Sequence, residues 1–103
     1  NSYPTALGNV PATGSLIAAI KKTFPTTVTN LGKPSKKIFK LAQNKLKLKK
    51  TDILMIGDNL KTDIAGSISF GIKSALVTTG KTTLKLAKDS KIQPNFIVEN
   101  LKL

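Results

Sequence analysis

The run Asp52-Ile53-Leu54-Met55-Ile56-Gly57-Asp58 limits what this chain can become more than any other stretch. Its four apolar residues do not alternate with polar ones, and both ends are sharply polar. A strand with one solvated face would alternate, so an unbroken run of this length fits a strand buried on both faces of a parallel sheet. A parallel sheet in turn needs crossover connections, usually helices, between successive strands.

The rest of the chain supplies that alternation. In "TGSLIAAIKKTF", Leu16, Ile17, Ile20 and Phe24 recur at helical spacing after Thr13 or Ser15 as a cap, which predicts a helix over 14–23 stopped by Pro25. "TVTNL", residues 27–31, reads as a short strand. The segment "KPSKKIFKLAQNKLKL" reads as a second helix, with Ser35 as N-cap and Ile38, Leu41, Ala42 and Leu46 as its apolar stripe. After the central strand, 60–70 reads as a helix with Ile64 and Ile68 inward and Gly71 as its stop. "KSALVTTG" is a further buried strand, "TTLKLAKDS" a short helix starting at Thr82 or Thr83, and "NFIVENL" a last strand. The class is therefore α/β, with a parallel sheet of about four strands, flanking helices and right-handed crossovers. Only the first dozen residues, with two prolines and no period, read as an irregular lead-in.

Composition narrows the chemistry. At 103 residues the chain is one small domain at most, and 40% apolar content argues against wholesale disorder. It has neither cysteine nor histidine, so disulfides, thiolate metal sites, thiol nucleophiles and imidazole bases are excluded. Any catalysis rests on Asp, Lys, Ser, Thr and a metal. No apolar run is long enough to span a bilayer and no signal-peptide order is present, so no membrane role is expected and the expectation is a soluble, cytoplasmic protein. A net charge of +12 suggests an anionic partner. Yet all 17 basic residues are Lys, and the five aromatics are scattered. Sequence-reading of nucleic acid favours Arg forks and stacking platforms, so nucleic acid stays a minority reading.

Two of the five acidic residues, Asp58 and Asp63, follow the central strand directly. Ligands of open parallel sheets bind outside the carboxyl ends of the strands, which is where Asp58 falls. Asp63 falls in the first turn of the next helix, so both carboxylates can face one crevice and suit a hard cation such as Mg²⁺. The alternative is that Asp58 caps the helix and Asp63 complements its dipole, and spacing alone does not separate the two. Lys33, held between Gly32 and Pro34 at another strand-to-helix crossover, can neutralise a phosphate or a carboxylate. A cation site and a fixed lysine on one rim are the equipment of phosphoryl transfer.

Together, "GKPS", "IGDNLKTDI" and "ALVTTG" resemble the C-terminal half of the haloacid dehalogenase (HAD) superfamily of phosphatases. They resemble most the branch of NagD-type nucleotide, 4-nitrophenyl and phosphoglycolate phosphatases. The resemblance implies a partial Rossmann-like, three-layer α/β/α core in residues 13–103, with 1–12 as the tail of a cap domain. It implies Lys33 as the catalytic lysine that holds the phosphoryl group, Asp58 and Asp63 as the Mg²⁺ site, and Asn59 as holding the loop or a metal-bound water. It also places Gly14 and Ser15 near the mouth of a site for a small phosphorylated substrate.

One departure is as informative. The family's nucleophile lies in an Asp-x-Asp motif, and no two acidic residues here are two apart. The chain is thus expected to be inactive alone, either as the C-terminal portion of a longer phosphatase that acts through an aspartyl-phosphate or as a non-catalytic Mg²⁺-, phosphate- or partner-binding relative. Without the nucleophile's strand, Ile53, Met55 and the edge of their strand would lack a neighbour. Homo-oligomerisation, or association with the missing N-terminal half, is the expectation.

Overall fold

The computed structural model describes residues 2–102, with side chains from residue 5 onward. The chain forms two compact units, Asn1–Asn30 and Leu31–Leu103.

In the first unit, β1 (Ser2–Thr5) and β2 (Gly8–Pro11) pair as an antiparallel hairpin, so the lead-in expected to be irregular is regular. Gly8, at φ +113°, opens β2 directly after the turn in a backbone conformation that other residues resist. Helix α1 (Thr13–Thr23) follows, but its N-cap position falls to Ala12 and no side chain caps it. Of the apolar residues at helical spacing, Leu16, Ile20 and Phe24 are all more than half exposed. The expected strand at 27–31 is not formed. Val28 and Leu31 are its only apolar residues and both are exposed, so it has no face whose burial would offset ordering the backbone.

The second unit holds a parallel three-stranded sheet in the order β3-β4-β5, built from Leu54–Gly57, Lys73–Val77 and Phe96–Val98. The α/β class and parallel sheet are as expected, with three strands rather than four because 27–31 does not join. Helix α2 (Lys36–Leu46) precedes the sheet, and the Lys37 amide donates to the hydroxyl of its Ser35 cap at 3.3 Å. Its buried residue is Phe39, while Ile38, Leu41 and Leu46 are exposed. A continuous helix from Leu60 to Phe70 was expected; the first turn, Leu60–Ile64, is instead π-helical, and α3 is Ala65–Phe70. Ile64, Ser67 and Phe70 are buried, whereas Ile68 is half exposed. Gly71, at φ +86°, ends α3 in the left-handed conformation as its position predicts. The short α4 (Leu84–Asp89) is capped by Thr83, whose hydroxyl accepts from the Leu86 amide.

Both crossovers step in the same direction across the sheet, and right-handedness therefore puts α3 and α4 on one face. The side chains agree. Register pairs Met55 with Ser74 and Gly57 with Leu76, so these four share a face. On that face lie both core clusters, Leu60, Ile64, Leu76 and Ala87 in one, Phe39, Phe70 and Ile72 with Ile53 and Met55 in the other. Phe39 and Phe70 stack at 5.8 Å, and Lys50 stands 4.2 Å over the Phe70 ring. Within this unit the opposite face carries Leu54, Ile56 and Phe96, each more than two-fifths exposed. β3 is an edge strand, as expected, but its under-covered side chains are Leu54 and Ile56. Ile53 and Met55, expected to be bare, are packed against the second cluster.

Candidate active site

The chain leaves β3 at Gly57, and the next seven residues carry the site. Asn59 takes the N-cap position, its side-chain oxygen accepting from the Lys61 amide at 3.0 Å. Capping therefore belongs to Asn59, and Asp58 is left for other work.

Asp63 is almost fully buried and both its oxygens are engaged. One carboxylate oxygen lies 2.6 Å from Lys33 Nζ and 3.5 Å from the Thr62 hydroxyl. The other accepts from the Asn59 amide at 3.2 Å. The carboxylate lies directly over Gly57, where an added Cβ would come within 2.5 Å of Asp63 Cγ. Lys33 is the more open partner, with about half of its side chain exposed while its ammonium is held by the buried carboxylate. The segment before α2 is held by the same elements. Gly66 of α3 lies so close to Phe39 and Pro34 that a side chain there would strike the ring.

Asp58 is half-buried and is held by the loop after β4. The Lys81 amide donates to one carboxylate oxygen at 2.8 Å, and the Thr82 amide donates to the Asp58 carbonyl at 3.0 Å. Gly80 sits against the carboxylate, where a Cβ would lie 2.6 Å from its Cγ. The other oxygen of Asp58 makes no hydrogen bond or ion pair among the described residues. A fixed carboxylate with one oxygen to spare is a fitting ligand for a hard cation that otherwise keeps waters and substrate oxygens. No cluster of three or more acidic residues stands here among the described residues, so such an ion would have few protein ligands.

Of the residues singled out from sequence, the fold brings Lys33, Asp58, Asn59 and Asp63 together. Gly14 and Ser15 lie in the first turn of α1, in the other unit. Sequence reasoning missed Gly57 as the floor beneath Asp63, and Gly80 and Lys81 as the clamp on Asp58. The clamp had a signal, because parallel neighbours end at the same rim and "VTTGK" ends the strand beside β3. No helix among the described residues is long and apolar enough to cross a membrane.

Residues 30–103 match the HAD-hydrolase-like family model. An acid sugar phosphatase of Staphylococcus haemolyticus is 31% identical over 102 residues, covering 99% of this chain and 39% of that protein. The ribonucleotide monophosphatase NagD of Escherichia coli is 33% identical over 90 residues, covering 87% of this chain and 36% of its own length. Among solved structures, a p-nitrophenyl phosphatase from Archaeoglobus fulgidus superposes with a TM-score of 0.81 at 27% identity, over 96% of this chain and 40% of that one. The chain thus spans less than two-fifths of the length of these curated relatives.

Proposed function

We propose that this chain, which belongs to the HAD-hydrolase-like family, is the lysine-and-metal portion of a phosphatase acting on small phosphomonoesters. The observation that carries the reading is the Lys33–Asp63 ion pair beside a clamped, half-satisfied Asp58 at the carboxyl end of β3. The names of its relatives support the same reaction class.

In this reading the half-exposed Lys33 binds the phosphoryl oxygens, and Asp63 holds it in place. Asp58 offers its free oxygen to Mg²⁺, with Asp63 close by through the loop it organises. Bound there, the ion would supply charge neutralisation for the phosphoryl oxygens. An aspartate from another part of the parent protein attacks phosphorus and the ester P–O bond breaks, while a second, protonated acid of that part gives its proton to the departing oxygen, which leaves as the alcohol. Water then cleaves the aspartyl-phosphate to return the carboxylate and release phosphate. Gly14 and Ser15 are retained as candidate substrate contacts and the cytoplasm as the proposed compartment.

The test uses the full-length parent with 4-nitrophenyl phosphate. Losing one preorganised charge-stabilising donor costs about 10²–10³ in turnover, so Lys33→Ala should fall by that much with the fold intact. Near-normal turnover would remove Lys33 from the chemistry.

A further inference from the structure

The site uses only the backbones of Lys61 and Lys81. The Lys61 amide is committed to the Asn59 cap and the Lys81 amide to Asp58. Both residues also line a cavity of about 540 Å³ between the π turn and α4. Its other polar walls are Asn59 and the hydroxyl-bearing Thr62, Thr82 and Ser90, and its apolar ones are Leu60 and Leu86. Among the described residues no carboxylate lines it. Leu60 and Thr82 are buried, which gives the cavity a fixed wall, whereas Leu86 on α4 is more than half exposed. Nothing in the proposed chemistry uses this space.

We propose that this cavity is a second anion site that takes a small organic phosphate, separate from the phosphoryl position at Lys33. Its volume falls within the ordinary range of small-molecule pockets, about 300–1,000 Å³. Two lysines, with the hydroxyl-bearing Thr82 and Ser90, suit the several acceptor oxygens of a phosphate dianion better than a single carboxylate, the Thr62 hydroxyl being already given to Asp63. The leucines suit an apolar body attached to that phosphate, since the exposed surface of Leu86 gains by being covered. Charge complementarity thus selects the head of the ligand and the leucines select its tail.

The probe is phenylphosphonate, which has an apolar ring, a dianionic head and no ester bond to hydrolyse. Calorimetry is run on the full-length protein carrying Lys33→Ala, in chelator and without added metal, so that failure of the phosphatase reading leaves the result untouched. Binding of one equivalent is expected. Losing hydrogen bonds to a charged group costs more than about 1.4 kcal/mol, so adding Lys61→Ala and Lys81→Ala should weaken it by at least about tenfold. The matched pair Lys85→Ala and Lys88→Ala removes the same charge from nearby α4 and should change affinity by less than about threefold, as a screened, more distant charge does. Leu86→Ala should weaken phenylphosphonate and leave inorganic phosphate unchanged. The proposal is overturned by absence of binding in the Lys33→Ala protein, by equal losses in the two lysine pairs, or by benzoate binding as well as the phosphonate does.

Discussion

Asp58 and Asp63 leave the same strand five residues apart, yet the fold holds them in opposite ways. Asp63 is buried over Gly57 and spends both oxygens on Lys33, Thr62 and the Asn59 amide. Asp58 is half-buried, leans on Gly80 and receives one amide on one oxygen. The first carboxylate is built into the loop, and the second is presented by it. Two acidic residues that look equivalent in the sequence are therefore held differently, one tied to the lysine and one keeping an oxygen without a partner among the described residues.

The sharpest way to break this contrast is to neutralise each acid. On the proposed reading Asp58→Asn removes the charge that attracts a cation, so Mg²⁺ affinity should drop by more than about 100-fold, beyond the loss typical of a supporting residue. Stability should stay within about 0.5 kcal/mol, because no buried partner is orphaned. Asp63→Ala should do the reverse in stability, costing roughly 1–3 kcal/mol by stranding the part-buried Asn59 amide. The ion pair itself adds little to that figure, since Lys33 is about half exposed and its charge is screened. Urea titrations and metal calorimetry on both variants check the division. Equal stability losses would collapse it.

The two glycines permit a finer comparison. Gly57→Ala forces a methyl into a buried carboxylate with no room to retreat, and overpacking of that kind costs about 1–3 kcal/mol. Gly80→Ala meets a carboxylate that can swing toward solvent, so stability should change less. The Asp58 clamp is what should suffer, and supporting residues of a metal site cost about 10–100-fold in affinity. A Gly80→Ala protein with unchanged metal affinity would show that the loop after β4 does not position Asp58.

Much of this was legible in the sequence, and for identifiable reasons. The Ser35 cap, the Gly71 stop and the three parallel strands follow from local rules that the fold does not override. Burial was the weaker part. Runs 53–56 and 74–77 look alike, but β4 is central, with Ser74 to Val77 all buried, whereas β3 is an edge with Leu54 and Ile56 exposed. An apolar run states that a strand can be covered on both faces, and sheet order decides whether it is. Ile68 differs from the expectation, since Ile64, Ser67 and Phe70 take the buried side of this helix and leave Ile68 half exposed; the π turn at Leu60–Ile64 leaves no periodic mark in five residues. Of the site, the side chains that carry charge could be read from motif and spacing. The glycines and the Lys81 amide could not, since they act through backbone and absent volume.

Asn59 lies between the two carboxylates and gives the smallest and most specific test. Its backbone amide serves Asp63, and its side chain serves Lys61 as a helix cap. Asn59→Ala keeps the first bond and removes the second, so stability should fall by about 1 kcal/mol, the usual cost of losing a cap. Asn59→Ser should recover most of that loss, because a hydroxyl caps as well as an amide does. With the side-chain oxygen already engaged by the Lys61 amide, Mg²⁺ affinity should change by less than about threefold in both variants, far from the loss expected of a residue supporting the metal. A large loss of affinity in Asn59→Ala, restored by neither serine nor added stabiliser, would place Asn59 on the Asp58 side of the division as a holder of metal-bound water.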